Sequence, residues 1–197
     1  ADLTGQRFAW RDYGEIAMPL LGEYQLFNAC TVLNTVEVLR QRGWKITDEA
    51  LLAGFRTVTW PGRFERVRRD PWLIIDGGHN PQCAQAIAAS LREYFPGKKI
   101  LFLMGVLADK DFEGIYDALL PLAERIYAVT PDSPRALTAD KLCERLADEY
   151  HFTAAKPYGS VADALKAVLA EAGEKDVICV CGSLYMIGEA RRELGLR

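Results

Sequence analysis

Two histidines, five cysteines without a C-x-x-C pair and no long apolar run leave this 197-residue sequence short of the parts that several protein classes require. Its longest apolar run, ILFLMGVLA at 100–108, stops well short of the roughly 20 residues that carry a helix across a bilayer. The cysteines are odd in number and irregular in spacing. Cys179 and Cys181 alternate along one apolar segment, so no zinc-ligand pattern arises, and reduced thiols in a cytoplasmic protein are the plain expectation. A net charge of −3, with acids and bases interspersed, gives no footprint for nucleic acid or a membrane surface. No secretory leader pattern opens the sequence as given. A G-x-G-x-x-G turn is missing as well, which weakens any reading as a nicotinamide-dependent oxidoreductase. There is no internal repeat and no low-complexity tract.

What is present is apolar and regularly spaced. Half of the residues are hydrophobic, enough for one large core or two modest ones. From residue 72 onward, apolar runs alternate with helical patterns. Strands are expected at 72–76, 99–105, 125–130, 152–155 and 176–182. Helices are expected over 81–95, 112–123, from the Thr138 cap to Tyr150, from the Ser160 cap onward, and over 184–194. Five strands alternating with five helices specify an α/β fold, a doubly wound and mainly parallel sheet covered on both faces. FERVRRDPWLIID adds an antiparallel piece turning at Arg69-Asp70-Pro71. Residues 1–57 differ in character: a hairpin turning near Asp12-Tyr13-Gly14, a long apolar helix over 24–42 and a shorter one from the Thr47 cap. Two helices and a hairpin make a poor domain by themselves, and TVTWPG at 57–62 reads as the linker to a second domain over 58–197.

The chemistry concentrates where strands end. In an open α/β sheet, ligands bind beyond the carboxyl ends of the strands. IIDGGHNPQ at 74–82 ends a strand on Asp76, turns through Gly77 and Gly78, and presents His79 before an Asn80 cap and a first-turn proline. A carboxylate, an imidazole and a helix N-terminus suit ribose hydroxyls, phosphate or an amino-acid carboxylate. CGSLYMIGE repeats the arrangement after the last strand, with Ser183 as either a plain N-cap or a hydroxyl donor to an anion. GVLADKDF at 105–112 offers Lys110 for a phosphate or ribose contact, and Asp109 or Asp111 to cap the next helix. Arg63, after the Pro-Gly turn of WPGRFERV, suits either a phosphate clamp or a surface ion pair. His151 has no reactive neighbour in sequence. Cys83, one turn into a helix, has no catalytic base beside it.

Taken in order, these segments resemble the Mur-ligase-like folylpolyglutamate synthase/dihydrofolate synthase family. GEYQLFNA (22–29) resembles its G-H-Q-x-x-N-A segment and WPGRFE (60–65) its P-G-R-x-E turn. DGGHNP (76–81) is similar to its D-G-A-H-N-P motif, GVLADKD (105–111) to its G-x-x-x-D-K-D loop, and GSLYMIGE (182–189) to its closing G-S-L-Y segment. Tyr24 stands where the family usually has histidine, while Asn28 is retained. The family's N-terminal ATPase domain carries a P-loop, and no G-x-x-x-x-G-K-[ST] occurs in these residues. The resemblance therefore implies a C-terminal portion: the tail of the ATPase domain over 1–57, then the Rossmann-like C-terminal domain of Mur ligases over 58–197. A chain that starts at Ala1 rather than methionine fits that expectation.

The resemblance implies part of an ATP-dependent ligase that adds L-glutamate to folate or dihydropteroate through an acyl phosphate, in the cytoplasm. Asn28, Arg63 and Asp76 would contact ATP. His79 and Ser183 would lie near glutamate, and Asp76 and His79 would be the catalytic pair. Magnesium ligands would lie on the absent ATPase domain, with none in this chain. The fragment alone is expected to be inactive. The alternative is a stand-alone nucleotide or amino-acid binding module without catalysis.

Overall fold

A computed structural model describes residues 3–196, and the chain divides into two compact units, Ala1–Pro61 and Gly62–Arg197. In the first unit, β1 (Gln6–Ala9) and β2 (Glu15–Met18) form an antiparallel hairpin whose turn is a short 3-10 segment, Arg11–Tyr13. Two helices follow, α1 (Tyr24–Gln41) and α2 (Asp48–Thr57), the latter started by the Thr47 hydroxyl accepting from the Ala50 N–H. Their small core gathers Ile16, Met18, Ala29, Leu33, Leu51 and Phe55. The first thirteen residues of α1 carry no charge, so its exposed polar positions there are the uncharged Asn28, Thr31, Asn34 and Thr35. Phe27, Val32 and Val38 are exposed along it.

The second unit is the α/β sandwich that the alternating pattern specifies. Its elements are β3 (Glu65–Arg68), β4 (Trp72–Asp76), α3 (Pro81–Tyr94), β5 (Ile100–Met104), α4 (Phe112–Leu119), β6 (Ala123–Ala128), α5 (Ala139–Tyr150), β7 (Ala155–Pro157), α6 (Val161–Glu171), β8 (Val177–Cys181) and α7 (Leu184–Glu193). The six strands stand in the order β3-β4-β8-β5-β6-β7, all parallel except β3, which pairs antiparallel with β4. Each residue of β5 and β8 is buried, because helices cover both faces and neither side of these strands meets water. Leu73, Ile75, Leu103, Ile178 and Val180 face α6 and α7 in one core. Ile74, Phe102, Ile126, Cys179 and Cys181 alternate with them and are equally buried on the opposite face, where the buried sides of α3, α4 and α5 complete the packing.

Two elements depart from the sequence pattern. ALLPLA reads as the end of a helix, yet α4 stops at Leu119. Pro121 sits in a 3-10 turn, Leu120–Leu122, and β6 already begins at Ala123. The short edge strand runs over 155–157 rather than 152–155. A three-residue edge strand with Lys156 and Pro157 exposed has no apolar alternation to mark its register.

Candidate active site at the strand tips

The helix after β8 packs on one face of the sheet, and the helices after β4 and β5 pack on the other. The β8 tip is therefore the switch point of the sheet, where successive helices leave for opposite faces and ligands of open α/β sheets bind. Three loops meet there. The Gly182 N–H donates to the Gly78 carbonyl at 3.0 Å, joining the tips of β8 and β4. Gly182 has φ +109, and a Cβ on it would lie 2.6 Å from the Gly105 carbonyl oxygen, so the tips of β8 and β5 touch as well.

Asp76 is buried at the end of β4. Its Oδ1 accepts from the Gly78 N–H at 2.7 Å and its Oδ2 from the Phe64 N–H at 2.8 Å. The carboxyl group thus fastens the glycine turn on one side and the 62–65 turn on the other. His79 is half-buried, with Nδ1 2.9 Å from the Gly77 carbonyl. A carbonyl only accepts, so Nδ1 carries the proton and Nε2 is the acceptor of the neutral ring. Asn80 caps α3 by accepting from the Cys83 N–H at 2.9 Å. Ser183 occupies the N-cap position of α7 and is 2% exposed, yet its hydroxyl makes no capping bond. Its oxygen is left for something other than the helix.

Arg63 lies half-buried against the same turn. A Cβ on Gly77 would come within 2.9 Å of its Nη1. Among the described residues it forms none of the ion pairs, whereas Arg7, Arg40, Arg125, Arg135 and Arg191 each hold a carboxylate. The loop after β5 is pinned to the loop after β6. The Ala108 N–H donates to the Arg135 carbonyl at 2.7 Å, the Leu137 N–H to the Val106 carbonyl at 2.9 Å, and Arg135 pairs with Asp109. Of the two candidate capping acids, Asp111 caps α4 by accepting from the Gly114 N–H at 2.9 Å. Lys110 is half-buried between them and is in no ion pair among the described residues.

The strand-tip loops thus bring together Arg63, Asp76, His79, Ser183 and, one loop further, Lys110. Asn28 belongs to the first unit, where its Nδ2 donates to Gln25 Oε1 at 2.9 Å. Both amides border a mainly apolar hollow of about 270 Å³ shared with Met18, Leu51 and Trp60. Sequence reasoning did not single out Glu65, Arg191 or the left-handed Phe64, which build the turn that carries Arg63. Glu65 sits inside the quoted WPGRFE, but its partner is 126 residues away. The buried thiol beneath the site is chemically quiet. The Cys179 pKa is pushed up by its hydrogen bond with Cys181, by burial and by the fields of Cys181 and Asp76. Tyr116 is raised by burial above all. Among the described residues no group of three or more His, Cys, Asp or Glu side chains is placed to hold a metal ion, and no helix is long and apolar enough to cross a membrane.

A parallel-sheet domain with glycine turns and polar side chains gathered at its switch point is the architecture of a ligand-binding α/β domain, and residues 62–184 match the family model "Mur ligase, glutamate ligase domain". The chain belongs to that family. It is 34% identical over 198 residues to the dihydrofolate synthase/folylpolyglutamate synthase of Mycobacterium tuberculosis, covering 93% of this chain and 41% of that relative. The structure of Mycobacterium tuberculosis folylpolyglutamate synthase complexed with ADP superposes with a TM-score of 0.84 at 31% identity, over 94% of this chain and 43% of that one. A bifunctional folylpolyglutamate synthase/dihydrofolate synthase from Yersinia pestis with Mn, AMPPNP and L-glutamate bound gives 0.78 at 27% identity, over 99% of this chain and 47% of the other. The chain therefore spans less than half the length of these relatives.

Proposed function

We propose that this chain supplies the C-terminal wall of an ATP- and glutamate-binding site in a ligase that joins L-glutamate to folate or dihydropteroate. The observation that carries the proposal is Arg63, a half-buried guanidinium without an acidic partner among the described residues, lying against Gly77 in the turn that leads to His79 and that also meets Leu184, the residue after Ser183. A planar fork of donors left without a carboxylate suits phosphate oxygens.

In the proposed reaction the substrate carboxylate takes the γ-phosphoryl group of ATP, leaving ADP and an acyl phosphate. The glutamate amine attacks the acyl carbon, loses a proton, and phosphate departs. Such transfer depends on positioning and charge neutralisation more than on covalent chemistry by the protein. Arg63 would hold phosphate oxygens. Asp76 would fix the turn beneath it and is the proposed contact for the nucleotide's ribose. His79, with Nε2 as acceptor, is suited to hydrogen-bond the glutamate ammonium or take its proton, and the Ser183 hydroxyl to donate to a glutamate carboxylate. Asn28 is assigned a nucleotide contact from the first unit. The magnesium ligands, like a P-loop, are assigned by the family resemblance to a protein segment outside this chain.

The test is incorporation of radiolabelled glutamate into dihydropteroate or tetrahydrofolate in the presence of ATP. The chain alone should yield no product. Mixed with the P-loop-bearing N-terminal portion of the Mycobacterium tuberculosis relative, it should yield product that Arg63→Ala abolishes. Turnover by the chain alone, or a combined activity indifferent to Arg63→Ala, would overturn the proposal. Binding of ATP or glutamate without product in either mixture would point instead to a stand-alone binding module.

A further inference from the structure

The backbone on each side of Arg63 is pinned, while its own side chain forms no ion pair among the described residues. The Gly62 N–H donates to Glu65 Oε2 at 2.8 Å, the Gly77 N–H donates to the Gly62 carbonyl at 2.9 Å, and the Phe64 N–H donates to Asp76 Oδ2 at 2.8 Å. Phe64 adopts φ +40, a left-handed conformation that bulky residues rarely take, and its ring is 1% exposed beside Tyr94. The local structure thus holds a strained turn whose effect is to present residue 63 over the tip of β4. Strain of this kind persists only where surrounding contacts over-determine it.

One helix supplies much of that determination. Leu184, Ile187 and Arg191 stand three and four residues apart, on one face of α7. A Cβ on Gly77 would meet Leu184 Cδ2 at 2.4 Å, and one on Gly62 would meet Ile187 Cδ1 at 2.7 Å. Arg191, one turn further, pairs with the same Glu65 oxygen that accepts the Gly62 N–H. The side chains of Arg191 and Glu65 are only 13% and 23% exposed, so solvent and salt screen the pair far less than a surface bridge. Without Arg191, Glu65 has less reason to remain under Gly62 than to turn towards water.

We propose that Glu65 and Arg191 are positioning residues: their ion pair clamps the 62–65 turn onto α7 and aims the Arg63 guanidinium at an anionic group bound beyond the β4 and β8 tips. The phosphate identity of that group rests on the function proposed above. The clamp does not. Because Ser183 is the N-cap of α7, one rigid element sets the distance between the guanidinium and the serine hydroxyl. The spacing of the two ends of a bound anionic substrate is then read by the helix rather than by two mobile loops.

The experiment is side-chain and amide NMR on the whole chain, without ligand and then titrated with ATP. Variants are Arg191→Ala, Arg191→Lys, Glu65→Gln and Arg63→Ala. Without ligand, Arg191→Ala should speed exchange of the Gly62 amide and the Arg63 Nε–H about tenfold, the scale of a local opening, while amides of β5 stay unchanged. Arg191→Lys, which keeps the charge, should remain within about twofold of wild type. Glu65→Gln, which keeps the acceptor but not the charge, should fall between the two. With ATP, Arg191→Ala should weaken binding about as much as Arg63→Ala, and the double variant no more than either alone. Unchanged exchange in both Arg191→Ala and Glu65→Gln sinks the clamp. If Arg191→Ala does not fold, unchanged exchange in Glu65→Gln decides against it alone. ATP binding that ignores Arg63→Ala defeats the phosphate reading instead, and the ligand-free exchange still decides the clamp.

Discussion

Asp76 Oδ2 accepts the Phe64 N–H at 2.8 Å, tying the end of a buried strand to a buried residue held at φ +40. The same carboxyl group holds the Gly78 N–H through its other oxygen. Replacing Asp76 by alanine strands two buried amides, at a cost of about 2–4 kcal/mol. Asparagine does little better, because its NH2 must face one of the two donors. Urea unfolding of Asp76→Ala and Asp76→Asn should therefore show similar, large losses. A near-neutral Asp76→Asn would mean that the carboxyl group serves only a ligand.

Two glycines at the tips should respond differently to alanine. At Gly182 the new Cβ meets a backbone oxygen at 2.6 Å and the residue has φ +109, so neither sterics nor backbone can give. A loss of about 2–4 kcal/mol is expected, as for other substitutions at special backbone positions. At Gly77 the neighbours are the ends of Leu184, Arg63 and Ile187 side chains, which can move. Gly77→Ala should cost only about 1 kcal/mol of stability and displace Arg63, lowering ATP affinity. Equal destabilisation of the two variants would contradict this.

Ser160 and Ser183 both stand at N-cap positions. Ser160 accepts from the Asp163 N–H at 3.0 Å, while Ser183 makes no capping bond. Ser160→Ala should lose about 1 kcal/mol, as cap removals do, and Ser183→Ala only a few tenths. Ser183→Ala should instead lower glutamate affinity, measured by titration. A loss of stability at Ser183 equal to that at Ser160 would return it to an ordinary cap.

Cys143, on α5, has its pKa pushed up to about 11 by burial first and then by Asp140 and Glu144, all of which disfavour the thiolate. Only the thiolate is alkylated. Between pH 7.5 and 10 its iodoacetamide rate, followed on the peptide by mass spectrometry, should climb about tenfold per pH unit without levelling. A plateau by pH 9 would contradict that environment.

The sheet was legible because strands covered on both faces must be apolar at every position. ILFLM and VICVC announce themselves for that reason. β7 did not, since a short edge strand ending in Lys156-Pro157 carries no such constraint. The placement of Asp76 and Ser183 at the strand tips was legible because a buried run that ends on a polar residue and turns at once into a helix must leave that residue at the sheet's carboxyl edge. The machinery beneath Arg63 was hidden. The Glu65–Arg191 pair spans 126 residues, and nothing in the identity of Phe64 hints at a left-handed backbone, which usually calls for glycine. Tertiary packing alone places them.

Phosphate binding by Arg63 at the strand tips is the proposal on which the assigned function depends. It is tested most directly by following the Arg63 Nε–H signal while ATP is titrated into the whole chain, beside the same titration of Arg63→Ala monitored at the Gly77 and Ser183 amides. A saturable shift at Arg63 with Gly77 and Ser183 moving in parallel, and an affinity about tenfold weaker in the variant, is the expected result. An Arg63 signal that stays fixed while ATP binds elsewhere, or Gly77 and Ser183 shifts that saturate equally in Arg63→Ala, would contradict it.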